Sequence, residues 1–183
     1  MSHSFVDVAA NRSRPRYRLG ELVGRVLWGV GAVLFRLTPR PLYGIRRAIL
    51  RGFGATVGPH VHIHPTVRIF LPWNLSIGPY SAIGDRAIVY NLGPVRIGAR
   101  TTVSQHAHLC AGTHDYRDPA FPLLRPPITI GDDAWICADA FIGPGVTVGN
   151  HAIVAARGVA VSDVAPGTIV GGNPARLIKD RAV

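Results

Sequence analysis

Cysteine is scarce. Cys110 and Cys137 are the only two in 183 residues, too few for a disulfide framework and in keeping with a reducing compartment. A long apolar run is also missing. The best stretch, Val26 to Phe35, has ten residues and includes two glycines, whereas a membrane span needs about 20. The start of the chain shows no cleavable leader, because the first apolar run begins only at Leu22 and no small-residue cleavage site follows. The expected location is therefore cytoplasmic, with the inner face of the membrane as a second address. Acidic residues are thin where basic ones are dense. Residues 1–56 hold ten arginines against Asp7 and Glu21, while residues 57–183 hold ten basic residues against eight aspartates. The surplus of positive charge is N-terminal. Such a basic, partly apolar segment suits peripheral contact with an anionic membrane surface. A solvated arm beside a helix packed on its own domain is the plainer reading, and both stand. No nucleic-acid partner is expected, since no recognised binding motif accompanies the arginines.

Apolar residues make up 48% of the chain, ample for a packed core. Their spacing has a period of six. From Val57 onward an aliphatic residue recurs at 63, 69, then 77, 83, 89, then 97, 103, 109, then 130, 136, 142, then 148 and 154, with Ala160 as a weaker last member. A helix of 3.6 residues per turn would scatter these positions around its cylinder. Short strands separated by tight corners, each aiming one aliphatic side chain inward, would align them. Small side chains such as Ser81, Ala87, Thr101 and Ala134 follow four residues later, and glycines allow unusual corner dihedrals. The expected fold is an all-β solenoid, a left-handed parallel β-helix, with a short N-terminal helical segment and a C-terminal tail. Three hexapeptides make one coil. The predicted boundaries are a basic, partly helical segment at 1–56, the β-helix at 57–170 and the tail at 171–183.

The breaks in the period fall together. The steps from 69 to 77 and from 89 to 97 are eight residues long, and the step from 109 to 130 is 21. All three follow the third hexapeptide of a coil, so they stack at one corner of the prism. Insertions on one edge of a solenoid commonly mark its binding face. That corner holds Trp73, Asn74, Tyr90, Asn91 and the loop 114–127, whose first residues are His114, Asp115 and Tyr116. These are the candidate substrate-binding residues. The two cysteines belong to different faces, the third and the second, and should not pair.

In the N-terminal segment, Leu22, Val23, Val26, Leu27, Val30, Val33, Leu34 and Leu37 approximate a helical stripe over 19–37. Gly24, Gly29 and Gly31 each weaken that helix by about 1 kcal/mol relative to Ala, and Thr38-Pro39 should end it. A second short helix is expected over about 42–53.

The block from Val57 to Arg181 resembles the hexapeptide-repeat, or xenobiotic-type, acetyltransferases. Its likeness is greatest to those of colanic-acid biosynthesis, through Leu71-Pro72-Trp73-Asn74-Leu75, Ser104-Gln105 and Leu109-Cys110-Ala111-Gly112-Thr113-His114-Asp115-Tyr116. The preamble with Phe35-Arg36 and Thr38-Pro39 is similar too, and Gly171-Gly172-Asn173-Pro174-Ala175-Arg176 matches the family's terminal motif. The resemblance implies an O-acetyltransferase that moves acetyl from acetyl-CoA to a sugar hydroxyl in surface-glycan biosynthesis. It also implies a homotrimer with the cofactor cleft between neighbouring prisms, and no metal.

By that resemblance His114 is the general base. The chemistry suits it: imidazole, with an ordinary pKa near 6.5, takes a hydroxyl proton near neutral pH, which is typically worth about 10² to 10⁴ in rate. Asp115 or a backbone carbonyl is available to orient the ring. The backbone N–H of Ala138 matches the oxyanion donor, and Trp135 the lining of the pantetheine tunnel or acceptor site. Ala155 and Ala156 match small residues along the pantetheine arm, and Arg176 and Lys179 match cations that meet CoA phosphates. Ser162 departs from the basic residue common at its position. The alternatives are a detoxifying acetyltransferase for a small glycoside or antibiotic and, more distantly, a zinc hydro-lyase resembling the γ-class carbonic anhydrases. That last family spaces two metal histidines five apart, and no histidine pair in the central region does.

Overall fold

The computed structural model describes residues 7–13, 17 and 19–182. Arg14, Arg16 and Arg18 of the basic segment lie outside the described residues. Three helices come first: α1 (Val8–Ser13), α2 (Leu19–Leu37) and α3 (Tyr43–Gly52). Helix α2 has the predicted limits, and α3 falls within the predicted 42–53. Strands of two or three residues follow from Thr56–Val57 to Val159–Ala160 and stack into three parallel sheets, one per face of a triangular prism. The first face stacks strands ending at Val57, Ile77, Ile97, Ile130 and Val148. In register, each coil lies over its neighbour at the same hexapeptide position. Every aliphatic residue of the six-residue period is at most 7% exposed, and so forms one continuous inner column. Burying each such side chain contributes about 1.5–3 kcal/mol. The small residues four positions on are buried as well. Where they are polar they bond upward: Ser81 Oγ donates to Gly98 O and accepts from Thr101 N, and Thr101 Oγ1 repeats the pattern with Gly131 O and Ala134 N.

The corners use glycine in part as expected. Most left-handed corner residues, among them Tyr80, Arg100, His106 and Asp139, are not glycine and lie at φ of 53–60°, while Gly145 takes the equivalent corner after Ile142 at φ 81°. The repeat glycines sit two residues earlier and serve close stacking. A Cβ on Gly78 would lie 2.6 Å from the backbone N of Ala99, and one on Gly84 2.7 Å from that of Gln105. Glycine is required there because the coils approach too closely for any side chain.

Such a stack has an open end. In coils beyond the first, the inward residue of each strand points its carbonyl at the preceding coil, as in the bonds Gly58 N to Ile77 O, His64 N to Ile83 O and Phe70 N to Val89 O. The corresponding carbonyls of Val57, Ile63 and Ile69 have no preceding coil. The N-terminal helices supply their partners. Arg51 Nε donates to Val57 O at 2.9 Å, Arg46 Nε to Ile63 O at 2.7 Å and Trp28 Nε1 to Ile69 O at 2.8 Å. Arg47 also reaches Val61 O. Arginine and tryptophan side chains carry donors and no acceptor, which matches an edge of carbonyls. Arg46 is fully buried and spends its remaining donors on the carbonyls of Thr38, Pro39 and Arg40, fixing the link between α2 and α3. Burial lowers its pKa, with Tyr43 opposing. Phe35, Leu50 and Trp28 cover the end of the aliphatic column. Three arginines of the basic segment thus belong to the fold.

At the far end the tail is not a loose extension. Thr168–Gly171 continues the second sheet, and Arg176–Asp180 turns back antiparallel along it.

Two stability tests follow from the cap and from His108. Arg46→Met leaves at least two buried carbonyls without donors and should cost about 3 kcal/mol or more, seen as a lower urea midpoint. His108 is half-buried against Phe141, with an unpartnered Nε2. Burial first, and Arg68 second, lower its pKa. The unfolded chain therefore takes up this proton first, and stability should fall as pH drops below about 6.5 towards the folded-state value. His108→Gln should flatten urea midpoints across that window.

Candidate active site

The long insertion leaves the third face after Cys110 and folds into a hairpin, with Thr113–His114 antiparallel to Leu123–Leu124. Asp118 and Asp115 pin the tip through the backbone N–H groups of Ala120 and Arg117. Phe121, at φ 48°, turns its carbonyl back into the hairpin. His114 Nδ1 lies 2.8 Å from that carbonyl, and its ring stacks on the Phe121 ring with centroids 4.6 Å apart. A carbonyl only accepts, so the neutral imidazole carries its proton on Nδ1 and leaves Nε2 as a free base. Of the two candidate orienting groups, the backbone carbonyl is the one in contact; Asp115 is engaged with its own turn.

The N-terminal segment also reaches this loop. Asn11 Nδ2 donates to the carbonyls of Ala120 and Phe121, at 2.6 Å each, and Asp7 N to Pro119 O. Glu21 bridges Arg25 on its own helix and Arg125 at the loop's return. The Phe121 carbonyl thus holds His114 on one side and α1 on the other. Neither Asn11 nor Phe121 was singled out from the sequence. Asn11 lies 110 residues from its partner, and no local pattern marks such a contact.

The other candidates divide into groups. Asn91 is fully buried: its Oδ1 accepts from Phe70 N and Leu71 N and its Nδ2 donates to Leu71 O. Asn74 Nδ2 donates in turn to the carbonyls of Asn91 and Leu92. The eight-residue corners are therefore held by an asparagine ladder. This removes Asn91 from the substrate-binding candidates, because its side chain has no open surface. Trp73 turns inward and packs against Gly24 of α2 and Gly54. Tyr90 is half-buried, edge-on to Phe70 and level with Cys110. Tyr116 is exposed at the loop tip.

Trp135 stands on the second face, 46% exposed, with Nε1 donating to Ser104 Oγ at 2.8 Å. Ala138 occupies the corner after it. Its flanking N–H groups, of Cys137 and Asp139, are bonded to neighbouring coils, while among the described residues none accepts from its own. Ala155 and Ala156 occupy the same corner one coil further on, Ala156 exposed. Arg176 lines a cavity of about 290 Å³ with Ser162, Asp163 and Leu177. Lys179 is exposed beside it in sequence, level with Ile169. Within one chain, then, His114 and Ala138 stand at different corners of the prism.

Burial pushes both thiols up, Cys110 and Cys137 alike, which keeps them protonated and poor nucleophiles. Of the other histidines, His60 stacks on Tyr80, His62 on Tyr43, and His64 lies 3.6 Å from Asp85. Among the described residues no three His, Cys, Asp or Glu side chains are grouped to hold a metal ion.

This arrangement of stacked hexapeptides with one histidine-bearing loop defines a class. Residues 127–159 match the model of the bacterial transferase hexapeptide, six repeats. The chain is 40% identical over 154 residues, 84% of its own length and 85% of the relative's, to the Escherichia coli K12 protein named as a colanic acid biosynthesis acetyltransferase, WcaF. It is 27% identical over 142 residues to the galactoside O-acetyltransferase of the same organism, covering 74% of this chain and 68% of that one. A Vibrio cholerae hexapeptide-repeat acetyltransferase, solved in complex with acetyl coenzyme A, superposes with a TM-score of 0.82 at 25% identity, over 92% of this chain and 93% of that one. The chain belongs to the hexapeptide-repeat acetyltransferases, and its solenoid is their left-handed parallel β-helix.

If Asn11 steadies the loop, Asn11→Ala should speed hydrogen exchange of the Asp115 and Phe121 amides by about ten- to a hundredfold, the worth of one or two hydrogen bonds. Amides within the coils should exchange as before.

Proposed function

We propose that the protein transfers acetyl from acetyl-CoA to a sugar hydroxyl during surface-glycan synthesis. The observation that carries this reading is the bond from His114 Nδ1 to the Phe121 carbonyl, which leaves Nε2 as a fixed proton acceptor. A hydroxyl bonded to Nε2 loses its proton to the imidazole as its oxygen attacks the thioester carbonyl. The tetrahedral oxyanion is stabilised by the backbone N–H of Ala138. Collapse breaks the C–S bond, and the imidazolium returns the proton to the CoA sulfur. The corner alanines Ala155 and Ala156 let the pantetheine arm lie close to the backbone. Trp135 walls that channel, and Arg176 and Lys179 meet the phosphates. Tyr90, Tyr116, Asp115 and Asn74 remain the acceptor-side candidates.

His114 and Ala138 stand at different corners of one prism, so the reading requires a second copy. In a C3 trimer the His114 loop of one protomer faces the Ala138 corner of the next, giving three composite sites. The likeness to the colanic acid biosynthesis protein supports a glycan acceptor.

Three measurements test this together. His114→Ala should lower acetyl transfer by at least about 10² and leave CoA affinity unchanged. His106→Ala, an exposed corner residue, should retain most activity and serves as the control; the half-buried His108 would not, because its loss disturbs packing. Ala138→Pro should cost about 10² to 10³ by deleting one oxyanion donor. The corner accepts proline, since Pro65 holds the equivalent place three coils earlier. Mixed trimers of His114→Ala and Ala138→Pro chains should regain activity, because some sites then pair an intact histidine with an intact donor. Full activity in a stable monomer, or no recovery on mixing, would reject the composite site.

A further inference from the structure

The packing of α2 is one-sided in an unusual way. Its inner face is built from Gly24, Trp28, Gly31 and Phe35, which lie on Trp73, Ile69 and Phe53. Its outer face, opposite Trp28 on a 100° wheel, is aliphatic along the whole helix. Leu19, Val26, Val30 and Leu37 are 64–79% exposed, and Leu22, Val23, Leu27, Val33 and Leu34 are exposed beside them. A surface helix ordinarily presents charged or polar residues there. No polar side chain interrupts this arc. The helix's one acid, Glu21, is turned inward onto Arg25 and Arg125.

Positive charge borders the face. Arg36 lies at its edge and, with Arg68 and Arg86 from the first two coils, lines a groove of about 490 Å³ whose other walls are Pro65, Thr66 and Ile88. Asp85 borders that groove, accepting from Thr66 and lying 3.9 Å from Arg86. Arg40 is exposed just beyond the helix end.

We propose that this face docks α2 in the plane of an anionic lipid bilayer, with the aliphatic arc among the acyl chains and the Arg36–Arg68–Arg86 groove receiving lipid phosphates. Two features favour a bilayer over a second copy of the chain. Protein interfaces mix polar contacts and aromatic anchors into their apolar area, and this arc has neither. An aliphatic arc edged by arginine is instead the pattern of helices that lie in a membrane interface. The mode is peripheral, because no helix among the described residues is long and apolar enough to cross a membrane. Docking is independent of the acetyl-transfer reading, since it uses none of the residues assigned to that chemistry.

The test is co-sedimentation of the full chain with vesicles of phosphatidylcholine alone or with phosphatidylglycerol added. The wild type should bind the anionic vesicles at least about tenfold more strongly than the neutral ones, and less in high salt. Val26→Glu/Val30→Glu places two charges on the outer face without touching the cap, and should abolish binding while circular dichroism, melting temperature and oligomeric mass stay as in the wild type. Arg36→Ser/Arg86→Ser should reduce the preference for anionic vesicles and spare weak neutral binding. No vesicle binding by the wild type, or undiminished binding by the double glutamate variant, would overturn the proposal. A change of subunit number in that variant would overturn it as well, and would give the face to another copy of the chain.

Discussion

A solenoid hands its backbone hydrogen bonds from coil to coil, and this bookkeeping has to stop somewhere. Here it stops at three carbonyls, those of Val57, Ile63 and Ile69, one on each face of the prism. Their partners come from two guanidinium groups and an indole on helices that precede the first strand. An unpaired buried carbonyl costs free energy comparable to a lost hydrogen bond, so the cap is part of the solenoid and not an appendage to it. The rest of the architecture hangs on that closure. It fixes where α2 and α3 sit, and through Glu21 and α1 it fixes what lies beside the histidine loop.

Much of this was legible in the sequence, for a physical reason. A period of six allows one inward side chain per short strand, and each residue read as inward is buried, from Val57 to Ala160. The stacked corner could be inferred because every insertion falls after the third hexapeptide of a coil. Helix α2 was readable from spacing and from Thr38-Pro39. The repeat glycines were recognised for only part of their reason: those such as Gly78 and Gly84 clear the backbone of the neighbouring coil, while Gly145 takes a left-handed corner and most other such corners fall to residues such as Tyr80 and Asp139.

Other parts were illegible because they depend on contacts between distant positions. Nothing around Arg46 distinguishes it from the other nine arginines of the segment, yet among those described it is the one that is fully buried. Asn91 reads as a polar corner residue open to ligand, and only the stacking of coils reveals that its amide is spent on Phe70 and Leu71. The ring of His114 offered two local partners by sequence. The one it meets is a carbonyl seven residues on, brought back by a hairpin whose tip is braced by α1.

The capped edge bears on how this molecule stays apart from others of its kind. A bare row of strand carbonyls is a template, and any extended segment of suitable register can add to it as the next coil would. In a prism with three parallel sheets the template is triple, and it is repeated on every molecule in solution. Arg46, Arg51 and Trp28 occupy each sheet's terminal acceptor, so growth past the first coil is blocked on all faces at once. A chain that lost this closure while keeping its coils would be poised for end-to-end polymerisation into fibres, with the stacking rule that builds the fold then running between molecules.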